Sequence, residues 1–126
     1  MDNNQIYSSI IDTVEDSELF KLLGLEITNL TKGFCELYLP KIYENDFITS
    51  IYCIICDIAS LIVLSTLFPE GGIPQACNIS VSAFSKVDKG GLKISSGYIE
   101  AEYGVLIESK VFTNDGKLVA IAHSRY

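Results

Sequence analysis

One carboxylate stands alone in the most apolar part of the sequence. Between Phe47 and Phe68 the only charged residue is Asp57, and many of its neighbours are isoleucine, leucine or valine. A carboxylate held in apolar surroundings can act as a general base or a nucleophile, because functional sites are where the cost of burying a charge is tolerated. The alternative is a structural Asp that hydrogen-bonds a backbone group or a serine where subunits pack. We expect Asp57 to carry chemistry.

Four cysteines are the next candidates. Cys53 and Cys56 form a C-x-x-C pair, and Cys35 and Cys77 stand apart. A redox pair needs basic neighbours or a helix N-terminus to lower a thiol pKa, whereas an acidic residue, Asp57, follows this pair. A zinc site needs further ligands, and the sequence has no second paired motif. We therefore predict buried thiols that act as small hydrophobic side chains, with no disulfide and no metal site.

The composition limits the class of protein. The chain has 126 residues and a mass of 13.9 kDa, with 48% hydrophobic and 20% charged residues. These values predict one globular domain over residues 1–126 with a substantial core, and they argue against disorder. Lys and Arg number 9 against 16 Asp and Glu, a formal charge of −7. A surplus of acid disfavours binding to phosphates, so we expect no nucleic-acid partner.

The apolar segment is long enough to span a membrane, so two interpretations compete. An Asp in the middle of a span costs about 2.5–3.5 kcal/mol on insertion. Acidic residues flank the segment at Glu44, Asp46 and Glu70, and no Lys or Arg cluster is placed to orient a span. Residues 1–20 lack the basic and apolar regions of a signal peptide. We therefore predict the core helix of a cytoplasmic protein, with no membrane partner.

Local patterns predict the N-terminal elements. Apolar residues at helical spacing indicate one or two short helices before Gly24, with Asp16 or Ser17 capping the second. After Gly24 the apolar residues recur at every second position. Residues 25–31 and 33–40 are typical of a strand pair or one long bent strand. One face of the second strand is predicted to hold Cys35, Leu37 and Leu39.

The apolar segment is too long for an ordinary strand, so it is predicted to be a helix. Small or polar side chains recur on it at spacings of three and four residues. They are Thr49, Cys53, Cys56, Asp57 and Ser60. A stripe that includes a carboxylate favours the wall of a narrow pocket over a close-packing seam. Because the rest of the helix is apolar and one sheet cannot cover it, we expect a homo-oligomer.

Turn residues separate four alternating segments after this helix. The predicted strands are 77–83, 92–103, 105–112 and 117–125. Their turns lie at 88–91, Gly104 and 114–116. The predicted class is α+β: an N-terminal helical segment, then a long central helix wrapped by a five- to six-stranded antiparallel sheet, with the last four strands forming a meander.

These elements and several short motifs resemble the hotdog-fold acyl-CoA thioesterases of the PaaI-like, phenylacetate-degradation type. The motifs are LLGLEI, KGFCELYLP, CDIAS, VSAFSKVDKGG and NDGKLVAIAHSRY. They extend from Leu22 to Tyr126, and their order and spacing carry the resemblance. It implies a hotdog fold, in which the sheet wraps one long helix.

The resemblance also implies a site. In that family two subunits pair, and acyl-CoA lies in a groove between them. A carboxylate on the helix acts as nucleophile or general base on the thioester, and Asp57 matches it by position. The backbone N–H of Ser50 would hold the oxyanion, assisted by Asn45. The implied substrate-binding residues are Thr49, Cys53, Ser60, Asn78, Lys86 and Lys89. Coenzyme A enters as part of the substrate, and no separate cofactor is implied.

The sequence departs from the family at the entrance of the helix. The family has His-Gly-Gly there, where gapless alignment from Asp57 places Ile48, Thr49 and Ser50. Glycine would allow a close approach to the backbone that these residues do not. A second hypothesis is therefore a catalytically inactive hotdog domain that binds acyl-CoA or another apolar ligand as a sensor or carrier.

A third hypothesis is a dehydratase, which in this fold works with a histidine. The only histidine is His123, in the last predicted strand beside Ser124 and Arg125. These neighbours form no catalytic triad. We interpret His123, Tyr98 and Tyr103 as residues on a face of the sheet.

Overall fold

The structure is a computed structural model, and it describes residues 3–40, 48–72, 78–84, 91–100 and 104–126. Two helices open the chain: α1, Asn3–Glu15, and α2, Glu18–Leu23. Ser17 caps α2, because its hydroxyl oxygen accepts a hydrogen bond from the Phe20 N–H at 3.2 Å. Gly24 ends α2 in the left-handed conformation, with φ 72°. The predicted helices and their cap are confirmed.

A long helix and six strands follow. The helix, α3, spans Ile48–Leu67. The strands are β1 Glu26–Thr31, β2 Phe34–Leu39, β3 Asn78–Ala83, β4 Leu92–Glu100, β5 Val105–Thr113 and β6 Leu118–Arg125. The region before α3 is thus a strand pair, not one bent strand. These elements lie where they were predicted, apart from residues 77 and 101–103, which fall outside the described ranges.

The six strands form one antiparallel sheet in the order β1-β2-β4-β5-β6-β3. The predicted four-stranded meander is wrong in one respect. Strands β4, β5 and β6 are consecutive neighbours, but β3 crosses to the far edge and pairs with β6. Strand β2 occupies the edge of β4, from Phe34↔Gly97 to Leu39↔Leu92. Turn residues indicate where a strand ends and do not specify which strand it pairs with.

Helix α3 packs across one face of this sheet. Alternate side chains of each strand point towards the helix and are buried. They include Leu37, Leu39, Ile94, Ile107, Val111 and Val119. The predicted inner face of β2 is confirmed, because Cys35, Leu37 and Leu39 are each 0% exposed. Complete burial of one such aliphatic side chain contributes about 1.5–3 kcal/mol, so this layer fixes the position of the helix.

Small residues let α3 approach the sheet closely. The Cys35 thiol donates a hydrogen bond to the backbone carbonyl of Ala59 at 3.4 Å. Ser96, the cross-strand partner of Cys35, forms a buried hydroxyl pair with Ser109 of β5. Because these hydroxyls satisfy each other, polar atoms can lie beneath the helix without an unmet hydrogen bond.

By length and composition alone, the Thr49–Leu67 part of α3 could also cross a membrane. In the structure 56% of that window is buried inside the protein. The sheet lies against one side of α3, and α1 packs against part of the rest. Helix α3 therefore forms the core of this fold, as predicted, while another part of its surface stays open.

Candidate active site

The uncovered side of α3 carries residues three and four positions apart, which we call the open stripe. Its members are Ser50, Cys53, Ile54, Asp57, Ile58 and Leu61. Ile54 is 37% exposed and Leu61 is 43% exposed, and Asp57 is half-buried between them. The carboxylate thus lies among aliphatic side chains, at a surface that remains partly open to solvent.

The predicted stripe of small side chains is divided between two faces of α3. Thr49 and Cys53 are exposed, whereas Cys56 and Ser60 are each 0% exposed. Residues at these spacings cover an arc too wide to lie on one side of a packed helix, so one edge of the arc turns towards the sheet. Thr49, Cys53 and Asp57 remain at the surface.

The Asp57 side chain has no hydrogen-bond or ion-pair partner among the described residues. Its charge acts on two buried neighbours. Burial raises the pKa of the Cys56 thiol to about 12, and Cys53 and Asp57 add to the rise. Burial also raises the pKa of the Tyr126 hydroxyl, and the Asp57 charge contributes to that rise.

Three hydroxyls come together between α3 and β6. Ser60 Oγ donates to the Cys56 carbonyl at 2.8 Å and lies 3.2 Å from Ser124 Oγ. Both serines partly offset the rise in the Tyr126 pKa, but neither meets the buried Tyr126 hydroxyl in hydrogen-bond geometry. Ser60, predicted to bind substrate, thus lies beneath the open stripe and not on it.

Thr49 and Ser50 are exposed in the first turn of α3. The N–H groups of a first helical turn have no partner within the helix, so they can bind a negatively charged oxygen. Ser50 and Asp57 lie on the same face of α3, about two turns or 10 Å apart along its axis. One substrate carbonyl therefore cannot contact both groups of the same chain.

Asn78 begins β3 and pairs with Arg125, whereas the next residue, Ile79, pairs with Ser124 beneath α3. Because alternate residues face opposite sides of a sheet, Asn78 points away from the helix. The structure therefore separates Asn78 from Asp57 within one chain. The other predicted site residues, Asn45, Lys86 and Lys89, lie outside the described residues.

No protein-family model matches the sequence, and no curated protein matches it. Solved structures do match the fold. A thioesterase family protein from Silicibacter pomeroyi superposes with a TM-score of 0.78 at 15% identity, over 94% of each chain. The PaaI protein from the phenylacetic acid degradation operon of E. coli gives 0.77 at 13% identity, over 98% of this chain and 95% of that one. A thioesterase from Haemophilus influenzae superposes with a TM-score of 0.78 at 14% identity, over 94% of this chain and 86% of that one.

The chain has the hotdog fold of thioesterase-superfamily proteins. At these identities the likeness is one of fold, and it confirms the predicted sheet around one long helix. The central helix of this hotdog fold is α3, which carries Asp57.

The histidine lies on the outer face of the hotdog sheet. His123 Nε2 is 3.0 Å from Glu108 Oε2, and the two residues are cross-strand partners. Both alternate with buried serines along their strands, so they point away from α3. This placement agrees with a sheet-face histidine and keeps His123 apart from Asp57. Tyr98 is 42% exposed on β4, and Tyr103 lies outside the described residues.

The three cysteines of the described ranges are free thiols. Cys35 and Cys56 are buried, and burial is the main cause that raises the pKa of each to about 12. The prediction of a buried thiol is wrong for Cys53, which is exposed because it lies one turn from Asp57 on the open stripe. Cys77 falls outside these ranges. Within them, no three His, Cys, Asp or Glu side chains come together as a metal site.

Two buried tyrosines were not singled out from the sequence. Tyr52 is 0% exposed and Tyr126 is 9% exposed, and neither hydroxyl has a hydrogen-bond partner in the described part of the chain. Tyr126 follows Ala122 and Ser124 at a period of two, which is the sequence signal for the inner face of β6.

Proposed function

We propose that the protein is an acyl-CoA thioesterase, with Asp57 as general base or nucleophile. The position of Asp57 carries this proposal: the one charged side chain of the central helix is half-buried on the open stripe, without a partner among the described residues. A structural Asp would be expected to hydrogen-bond a neighbour. Thioesterase-superfamily structures with the same fold support this reaction class.

A carboxylate can serve thioester hydrolysis in two ways. As a base, it takes a proton from water while the water oxygen bonds to the carbonyl carbon; the C–S bond then breaks, and the CoA thiolate takes up the proton. As a nucleophile, its own oxygen bonds to the acyl carbon and displaces CoA, and water then cleaves the anhydride. Ile54 and Leu61 beside Asp57 suit an apolar acyl group.

The site is completed in this proposal by a second copy of the chain. Ser50 N–H can hold the oxyanion, but Asp57 of the same chain is about 10 Å away along α3. Two α3 helices packed antiparallel would bring Ser50 close to Asp57 of the partner subunit. Strand β3 is an edge of the sheet and has no charged residue, so its backbone can pair with another β3. A homodimer, alone or within a tetramer, would cover the open stripe.

The remaining proposed contacts lie in the groove that the open stripe would form between the two copies. Thr49 and Cys53 lie at its surface, and Ser60 is buried behind them, where it bonds the Cys56 carbonyl. Lys86 and Lys89 are proposed to meet CoA phosphates, and Asn45 and Asn78 to assist from either subunit. A thioester is already activated, so the proposed reaction uses no separate cofactor. We propose a soluble enzyme of the cytoplasm, and the burial of α3 in the core supports its solubility.

The proposal is tested by assaying the hydrolysis of short, long and aromatic acyl-CoA esters. The loss of thioester ultraviolet absorbance measures the rate. We expect turnover of at least one ester and a fall of about 10²–10⁴-fold in Asp57→Ala. Asp12→Ala, which removes an exposed carboxylate of α1, is the matched control and should turn over like the wild type. Unchanged turnover in Asp57→Ala would exclude Asp57 as the reacting group.

The second candidate function is a hotdog domain that binds an acyl-CoA or another apolar ligand without cleaving it. The start of α3 favours this candidate, because Thr49 and Ser50 carry side chains where a glycine would let a substrate approach the backbone. It predicts measurable binding of CoA esters by calorimetry and no turnover of any of them.

A further inference from the structure

The open stripe changes its chemistry at Asp57. Its small members, Ser50 and Cys53, precede the carboxylate, and the two members that follow it, Ile58 and Leu61, are aliphatic. Leu61 is 43% exposed and Ile58 is half-buried. We call Ile58 and Leu61 the aliphatic half of the stripe. An uncharged apolar surface therefore lies on one side of Asp57 along the helix axis.

The aliphatic half ends about two turns beyond Asp57. Leu64 lies on nearly the same face of α3 but is 0% exposed, so the fold itself covers its side chain. Ser65 is half-buried one turn after Leu61, and its hydroxyl donates to the Leu61 carbonyl at 2.9 Å. Asp57 and Ser65 are separated by about 12 Å along the axis, at about 1.5 Å per residue. The apolar surface beside the carboxylate thus has a definite length.

The charges at the two ends of α3 decide which way a substrate lies. The first turn presents N–H groups with partial positive charge, and the last turn presents carbonyls with partial negative charge. Glu70 is exposed just beyond the last turn and adds a full negative charge. The phosphates of CoA are therefore favoured at the Ser50 end and disfavoured at the Leu61 end. With its thioester at Asp57, the substrate extends its uncharged acyl chain over the aliphatic half.

The proposed dimer leaves room for this chain. When Ser50 approaches Asp57 of the partner subunit, Ile54 lies near the centre of the antiparallel helix pair, because it is midway between those two positions. The partner helix then begins about opposite Ala59, since both helices rise about 1.5 Å per residue. Leu61 lies beyond that point. The partner helix therefore covers Ile54 and leaves Leu61 open.

We propose that Leu61 sets the acyl-chain specificity of a medium-chain thioesterase: a straight aliphatic acyl group lies along Ile58 and Leu61 and ends at Ser65. An extended chain advances about 1.3 Å per carbon, because its C–C bonds of about 1.5 Å zigzag. About nine carbons therefore fill the distance of about 12 Å from Asp57 to Ser65. A single aromatic ring is shorter and leaves the Ser65 end in water. This assignment rests on the proposed thioesterase function and its dimer.

Straight-chain acyl-CoA esters of about 2–16 carbons test the assignment. We expect kcat/KM to rise about two- to fourfold per methylene up to about nine carbons, and then to level off, because only carbons on the aliphatic half leave water. In Leu61→Ser the rise should end at about four or five carbons, and in Ser65→Leu it should continue for about three more. Leu22→Ser changes a leucine of α2 that is 76% exposed, and this matched control should keep the wild-type profile.

The outcomes separate this assignment from the proposed function. Turnover without a break in the profile, or with the wild-type break in Leu61→Ser or Ser65→Leu, would overturn the assignment and leave the thioesterase standing. If no ester is hydrolysed, uncleavable thioether analogues of the same series are titrated by calorimetry. A break in Kd near nine carbons that moves in Leu61→Ser would retain the acyl site and exclude hydrolysis. Failure of every analogue to bind would overturn both.

Discussion

The hydroxyl oxygen of Thr66 accepts a hydrogen bond from the backbone N–H of Gly33 at 2.9 Å. This bond joins the last turn of α3 to the turn between β1 and β2. The Gly33 carbonyl accepts in turn from the Tyr98 N–H of β4 at 2.8 Å. Two hydrogen bonds of one glycine therefore link the end of the central helix to the sheet that it covers.

Thr66→Val should destabilise the fold by about 1–3 kcal/mol, because it keeps the shape of the side chain and leaves the Gly33 N–H without an acceptor. Equilibrium urea unfolding measures the loss. Ser65→Ala is the control. Among the described residues the Ser65 hydroxyl bonds only the Leu61 carbonyl of its own helix, at 2.9 Å, so its removal should change stability by less than about 0.5 kcal/mol. Equal effects of the two substitutions would contradict this role for Thr66.

Tyr52→Phe should stabilise the protein by about 1 kcal/mol. The Tyr52 hydroxyl is buried in α3 without a partner among the described residues, so removing it relieves a desolvation cost and leaves the packed ring in place. Thermal and urea unfolding both report the change. Tyr98→Phe, at a side chain 42% exposed, should leave stability unchanged. A destabilised Tyr52→Phe would reveal a bond at this hydroxyl.

Thiol labelling should distinguish the three described cysteines. At about pH 8 an exposed thiol forms some thiolate, whereas Cys35 and Cys56, with a pKa of about 12 and no access to solvent, stay protonated. Mass spectrometry should find iodoacetamide on Cys53 first, and on Cys35 and Cys56 only after unfolding. Early labelling of Cys56 would mean that α3 detaches from the sheet.

The same modification reports on the groove. Cys53 lies one turn from Asp57, so a bulky adduct on Cys53 should block the substrate and abolish turnover. Cys53→Ser should remain active and become insensitive to the reagent. Bound acyl-CoA should slow the labelling of Cys53. Full activity after stoichiometric labelling of Cys53 would place the substrate elsewhere.

Ile79→Lys should convert the proposed dimer into a monomer. Ile79 is 40% exposed on the inner face of the edge strand β3, where the second copy is expected to pack. A lysine there puts an unpaired charge into an apolar interface. Sedimentation analysis measures the mass. Asn29→Lys, on β1 at the opposite edge of the sheet, should remain a dimer. A dimeric Ile79→Lys would move the interface away from β3.

Local signals in the sequence predict those parts of the fold that local forces determine. Ser17 and Gly24 mark the ends of α2 because a cap and a left-handed glycine act within a few residues. The alternation around Leu37 predicts its burial for the same reason. The pairing of β3 with β6 has no local signal, because it depends on which strand edge is left open after β2 has paired with β4.

The candidate site shows the same difference between local signals and long-range contacts. Asp57 can be found from the sequence because its charge contrasts with its neighbours. The separation of Cys53 from Cys56 cannot, because the pattern shows a stripe but not the half of it that faces the sheet. The contact of Ser60 with Ser124 cannot be predicted either, because it depends on the pairing of β6 with β5 and on the packing of α3 against both, contacts between distant parts of the chain.

The crossing of β3 to the far edge of the sheet also sets an order of assembly. Ala83 pairs with Ala120 and Asn78 with Arg125, so a ribosome makes β3 well before its partner. Helix α3 is made earlier still, before the three strands β4, β5 and β6 that bury it. Helix α1 and strand β2, which also pack on α3, are made before it, whereas the part of α3 that faces β4, β5 and β6 stays uncovered until those strands have been made. Such a chain is a natural client for ribosome-associated chaperones, and its folding is governed by contacts that close late.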